Sequence, residues 1–180
     1  DVDADTQAEG KVGTHFDAVR RSISEAISES GMEKYIDIEE DPHWLSININ
    51  SGMLFAKDSA SVLAASRPVI ARIAVALSNI NNYIRVRGYT DNTFIPNGIF
   101  RNSWDLSANR SVSVLEELEK AGIEPERMAV EAFGQFSNKY SNKTAAGRAL
   151  NRKVVIAISR YAMERKPEQE VTSMPQNNSA

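Results

Sequence analysis

The sequence predicts one mixed α/β domain, an α+β sandwich in which helices pack on one face of a small mixed β-sheet, with an amphipathic helix in front. Three observations carry this expectation. Segments with the two-residue period of half-buried strands alternate with segments of helical period. One strand-like segment, "KVVIAI" (153–158), is continuously apolar, as a strand covered on both sides should be. Finally, 180 residues at 42% hydrophobic content suffice for one core and not for two.

Residues 1–11 are polar and acidic and predict a flexible linker. In "VGTHFDAVRRSISEAISESG", Phe16, Val19, Ile23 and Ile27 recur at three- and four-residue steps with charges between them, and Gly31 supplies a stop. This places an amphipathic helix within residues 12–34. "WLSININ" sets Leu45, Ile47 and Ile49 on one face and Ser46, Asn48 and Asn50 on the other, the alternation of a strand. A helix over about 66–80 carries Ile70, Ile73, Ala74 and Leu77 on one stripe, and Pro68 is tolerated in its opening turn. "YIRVRG" repeats the strand alternation with Ile84 and Val86 inward, and Gly88 permits a close backbone approach or an unusual turn. A second helix over about 105–120 carries Ala108, Val112, Leu115 and Leu118 and ends at Gly122. "MAVEAFG" is a weaker strand candidate before "KVVIAI", so four strands and two helices fill a domain over 35–162. Residues 163–180 hold two prolines and little apolar content and predict a disordered tail.

Composition excludes several functions. A formal charge of −3 with scattered Lys and Arg argues against a nucleic acid or an anionic membrane as the main partner. Without cysteine there is no thiolate metal site, and His15 and His43 lack ligand spacing, so no metal or other cofactor is expected. No run of 18 or more residues is apolar, and the opening "DVDADTQAEG" has neither an initiator Met nor a signal-peptide core; the chain reads as the soluble part of a longer protein.

The chemistry concentrates in "VRGYTDN" (86–92), where Asp91 directly follows a strand at the mouth of a loop. That loop leads into the second helix, on which Arg110 lies two residues beyond Ala108 and is therefore expected to point away from the core stripe, towards solvent or the loop. An acid and a base thus converge on one rim. By itself Thr90-Asp91-Asn92 is equally the signature of an Asx turn, and Arg110 of a solvated helix residue. Trp104 reads as a packing residue at the helix entrance, and both histidines as exposed polar residues.

"VRGYTDN", "LSANRS", "GIEPERMAVEAFG" and "ALNRKVVI", separated and in this order, resemble the OmpA-like peptidoglycan-binding domain over roughly residues 45–160. "SWDLSANRS" and the enlarged loop before it are most similar to the flagellar-stator branch of that family, the MotB/PomB kind. The resemblance implies a non-catalytic module whose ligand is the diaminopimelate-containing stem peptide of the cell wall. It implies that Asp91 receives the ammonium group and Arg110 the carboxylate of this zwitterion, a pairing that charge-assisted and bidentate hydrogen bonding supports. Thr90, Asn92, Ser103 and Leu106 fall at the same site by the family pattern, with Arg152 in a supporting role. One departure is that the family's usual Asn three residues before the Leu of LSxxR is here Ser103, the asparagine being Asn102.

The stator branch further implies a periplasmic domain of a single-pass inner-membrane protein, a homodimer, an ion-channel partner subunit of the MotA/PomA type and contacts to periplasmic ring proteins. A porin or lipoprotein anchor of the OmpA/Pal type is the alternative and uses the same site. A wall hydrolase is disfavoured, because glycoside cleavage needs two carboxylates, one with a raised pKa, and an Asp beside an Arg is pushed the other way. For the leading helix two readings stand side by side: permanent core, or an element that docks at rest and releases when the stator engages.

Overall fold

The computed structural model describes residues 14–163. The linker expected over 1–11, and all of the tail expected over 163–180 except Met163, lie outside the described residues.

Helix α1 (Asp17–Ser30) ends at Gly31, whose φ of 71° is the left-handed conformation that glycine enters without a Cβ penalty. Phe16, Val19, Ile23 and Ile27 are all buried, packing α1 onto α3 (Arg67–Ser78), which follows the single-turn helix α2 (Ser51–Leu54), and into the common core. On α3 the predicted stripe of Ile70, Ile73, Ala74 and Leu77 is fully buried, and Pro68 sits in its first turn.

The sheet has five strands in the order β1-β2-β5-β3-β4, comprising β1 (Ile36–Glu40), β2 (Trp44–Asn50), β3 (Asn82–Tyr89), β4 (Met128–Gly134) and β5 (Lys153–Ala162). The pair β3–β4 is parallel and is joined through α4 (Ser103–Lys120); the other pairs are antiparallel. Leu45, Ile47 and Ile49 of β2 lie opposite Ile158, Ile156 and Val154 of β5, which in turn face Ile84, Val86 and Gly88 of β3. These rows form the core side of the sheet. Val155 and Ala157 of β5 are also buried, flanked across the strands by Asn48, Ser46, Arg87 and Arg85, so the second cover of this continuous apolar run is long polar side chains.

Two expectations are corrected. The sheet has a fifth strand, β1, because "IDIEE" offers only two apolar positions and its acidic side chains suit an exposed edge, where charge discourages unwanted pairing. More consequentially, α4 is rotated from the predicted stripe. Its buried face is Leu106, Ser107, Arg110, Ser111, Val114 and Leu118, while Ala108 and Leu115 are half-buried and Val112 is exposed. The cause is Gly88. A Cβ there would lie 2.3 Å from the Ser107 carbonyl oxygen and 2.5 Å from Ser111 Oγ, so the helix backbone rests directly on the strand and the contact needs small residues rather than apolar ones. Arg110 therefore points inward and is buried, not directed to solvent.

Candidate functional site

Strand β3 delivers Thr90 and Asp91 to the sheet's end, where the Thr90 N–H donates to the Gly134 carbonyl at 2.8 Å. Both residues are buried, at 3% exposure. Asp91 Oδ1 accepts from the Thr93 N–H at 2.9 Å and from Thr93 Oγ1 at 2.6 Å, so the Asx-type turn is real and it fixes the carboxylate. Asp91 Oδ2 accepts from Arg152 Nη1 at 2.5 Å. Arg152 follows the short helix α5 (Ala145–Asn151), whose first turn is capped by Thr144, and its carbonyl accepts from the Ser51 N–H at 2.9 Å.

Arg110 reaches the same place from α4. Its Nε donates to the Ser59 carbonyl at 2.8 Å and its guanidinium lies 5.0 Å from the Phe55 ring centroid. Among the described residues no carboxylate lies within ion-pair distance of it. Asp91, Arg110 and Arg152 line one cleft of about 650 Å³, with Thr90, Leu106 and Phe94 on one side and Ser51, Phe55, Ala56 and Asp58 on the other.

Burial acts to raise the Asp91 pKa, but the two Thr93 hydrogen bonds and the Arg152 guanidinium outweigh it and hold the carboxyl below the usual Asp range. Arg110 is pulled down from its ordinary value, first by burial and then by Arg152, with Asp58 and Asp91 opposing. A guanidinium starts so high that it remains a cation. Asp91, Arg110 and Arg152 thus set one buried anion and two cations in the cleft, one of the cations already bound to that anion, with Lys57 and Asp58 also on its wall.

Of the remaining residues singled out in the sequence, Asn92 is exposed on the turn and does not line the cleft. Ser103 is buried against β4, its Oγ accepting from the Gln135 N–H at 3.3 Å. Asn102 is the N-cap of α4, accepting from the Asp105 N–H at 2.8 Å, which accounts for an asparagine one place earlier than the family pattern. Trp104, in the first turn of α4, packs on exposed Phe136 with ring centroids 4.3 Å apart and is itself half exposed. The wall built by residues 51–63 went unread in the sequence. Its one local signal is Asp58, a non-glycine residue with φ of 56°.

The sequence profile of the OmpA family matches residues 54–152, more than half of the chain. The chain belongs to the OmpA family. This OmpA-family chain is 27% identical over 142 residues to motility protein B of Bacillus subtilis, covering 78% of this chain and 54% of that protein. It thus spans about half the length of that relative. Among solved structures it is similar to the cell wall anchor of the T6SS from Pseudomonas aeruginosa (TM-score 0.70, 27% identity, 78% of this chain and 97% of that one). It is also similar to the periplasmic domain of Helicobacter pylori MotB (TM-score 0.65, 25% identity, 71% of this chain and 80% of that one). The matched span takes in Asp91, Arg110 and Arg152 and leaves α1, β1 and β2 outside it.

Proposed function

We propose that this domain is a non-catalytic peptidoglycan-binding module that holds the zwitterionic end of a diaminopimelate-containing stem peptide, and that it anchors a flagellar motor stator to the cell wall. The observation that carries this is that one cleft holds both a buried carboxylate, Asp91, and a buried guanidinium, Arg110, whose hydrogen-bond partners among the described residues are carbonyl oxygens. A ligand ammonium group takes the place of Arg152 at Asp91. A ligand carboxylate meets the unpaired side of Arg110, where a planar fork accepts two parallel hydrogen bonds. Two opposite charges held by rigid elements read a zwitterion by their separation. An Asp with a lowered pKa stays ionised and is unsuited to general-acid catalysis, which supports a binding role.

The stator role rests on similarity to motility protein B and to the periplasmic domain of MotB. In this reading the domain lies in the periplasm, tethered to an inner-membrane single-pass helix, and works as a homodimer with an ion-channel subunit of the MotA/PomA type and with ring proteins of the motor. Helix α1 docks at rest through Phe16, Val19, Ile23 and Ile27 and releases when the stator engages, lengthening the reach towards the wall. A lone helix of 14 residues is marginal in water, so release and melting go together.

The first test is co-sedimentation with purified peptidoglycan. Asp91→Asn and Arg110→Ala each remove a charge-assisted contact of about 1.5–3 kcal/mol and are expected to lose roughly ten- to hundredfold in affinity while remaining folded. Parent-like binding by both variants would remove the site from consideration. For α1, cysteines at positions 29 and 72, where Glu29 and Arg72 form an ion pair across α1 and α3, allow a bismaleimide tether. Full motility with the tether closed eliminates release.

A second reading, an outer-membrane anchor of the porin or lipoprotein kind, is favoured by similarity to the probable lipoprotein YiaD of Escherichia coli (26% identity over 151 residues, 83% of this chain and 65% of that protein). It employs the same cleft. A transmembrane helix with an intramembrane Asp upstream of residue 1 in the full gene selects the stator; a lipidated Cys or barrel strands select the anchor.

A further inference from the structure

A second cavity, of about 340 Å³, lies on the far side of Arg152. It is lined by Tyr35, Asp37 and Glu39 at the start of the sheet, by Tyr140 and Leu150 beside α5, and by Arg152 and Lys153, with Glu33 and Lys34 at its rim. The wall between this cavity and the cleft is thin. Asn50 lines the small cavity and Ser51, the next residue, lines the cleft, while the Ser51 N–H is hydrogen-bonded to Arg152. Arg152 faces both spaces. Its Nη1 is spent on Asp91, and among the described residues its Nε and Nη2 have no partner.

The chemistry of the small cavity is that of a peptide site. Lys153 is half-buried over the Tyr89 ring, with its Nζ 4.9 Å from the ring centroid. Asp37 stands free of any ion pair among the described residues, and Glu39 is held only by exposed Lys139 at 3.5 Å. Exposed Tyr35 and Tyr140 and the Leu150 side chain give flat surfaces for an extended chain. Cations and carboxylates are both present, which suits a segment bearing a carboxylate and an amide or amine, and suits a nucleotide or lipid headgroup poorly.

We infer that the smaller cavity is a second subsite for peptide and that Arg152 is shared between the two, so that a ligand of two stem peptides joined by a cross-link is held in preference to a single stem. This rests on the function proposed above. With one stem in the cleft, its ammonium group displaces Arg152 from Asp91, and the released guanidinium turns to the carboxylate of the second stem beside Lys153. Occupation of one space thereby prepares the other.

The test compares a synthetic diaminopimelate-containing stem peptide with the same peptide cross-linked to a second copy, titrated calorimetrically into the folded domain. The cross-link is an amide that consumes the side-chain amine of one diaminopimelate, so only the other stem keeps the zwitterion that the cleft takes, and the parent is expected to bind the cross-linked peptide about tenfold more tightly than the single stem. Tyr35→Ala with Tyr140→Ala, and separately Asp37→Asn, are expected to abolish that preference and leave single-stem affinity unchanged. Equal affinity of the parent for both peptides, or variants that weaken both peptides alike, overturns the subsite. Asp91→Asn should lose both ligands; if it keeps the single stem, the assignment of the main cleft fails, and the shared role of Arg152 fails with it. Circular dichroism of each variant separates lost contacts from lost fold.

Discussion

Arg152 donates from Nη1 to Asp91 Oδ2 at 2.5 Å, across 61 residues of chain, just beyond the point where Tyr89 at the end of β3 pairs with Lys153 at the start of β5. It also means that the carboxylate offered to a ligand is already satisfied, and that a ligand cation has to replace a guanidinium. The exchange is feasible because the two partners differ in exposure: the Asp91 side chain is 4% exposed and that of Arg152 is 42%.

The Asp91 pKa is lowered in the folded state, so its ionised form stabilises the fold. The sign follows from linkage: the contribution is complete above the unfolded value of about 3.9 and is lost as pH falls through the lower folded value. The difference in unfolding free energy between the parent and Asp91→Asn is expected to be flat from about pH 5 to 8 and to shrink below about pH 3.9. Arg152→Ala should cost about 1–2 kcal/mol at neutral pH and move the acid-unfolding midpoint upward, because Asp91 keeps only its Thr93 hydrogen bonds. Chemical denaturation at a series of pH values measures both effects; a difference unaffected by acid contradicts the assignment.

Gly88→Ala should act on both stability and binding. The added methyl group meets the backbone oxygen of Ser107, which has no rotamer by which to move aside, so α4 has to shift away from β3. A loss of about 1–3 kcal/mol is expected from overpacking. Because α4 carries Arg110 and Leu106 into the cleft, peptidoglycan affinity should fall as well. Thermal unfolding together with co-sedimentation tests the coupling, and a destabilised variant with parental affinity breaks it.

Ile23→Ala distinguishes a detachable α1 from a permanent one. Ile23 is fully buried, and its truncation leaves a cavity costing about 2–5 kcal/mol. If α1 opens as its own unit, the cost appears as faster hydrogen exchange at α1 amides, with β5 amides little changed. Equal acceleration of both elements would mean that α1 belongs to the cooperative core.

Asn151 staples the segment before α5. Its side chain accepts from the Tyr140 N–H at 3.1 Å and donates to the Tyr140 carbonyl at 2.8 Å and to Asn142 Oδ1 at 2.9 Å, with 1% of the residue exposed. Asn151→Ala is expected to cost about 1–3 kcal/mol. Asn151→Asp, which keeps the acceptor and loses both donors, should be no better than Ala in urea denaturation. An aspartate variant as stable as the parent would show that the donated bonds contribute little.

The sequence by itself determined the alternation of β2 and β3, the continuous apolar run of β5, the faces of α1 and α3, and the placing of Asp91 at a strand end, because these depend on residue pattern and turn chemistry within a few residues. The separated motifs located Arg110 and Arg152 as candidates without showing how they meet. The tertiary structure decided the rest. It turned α4 so that Arg110 is buried, since the fit against Gly88 selects small serines over the larger apolar side chains that a hydrophobic stripe counts. It made the acidic segment "IDIEE" a strand by pairing it with β2. It also brought residues 51–63 across the cleft and set Arg152 on Asp91, contacts between segments far apart in sequence, which no local pattern of residues specifies.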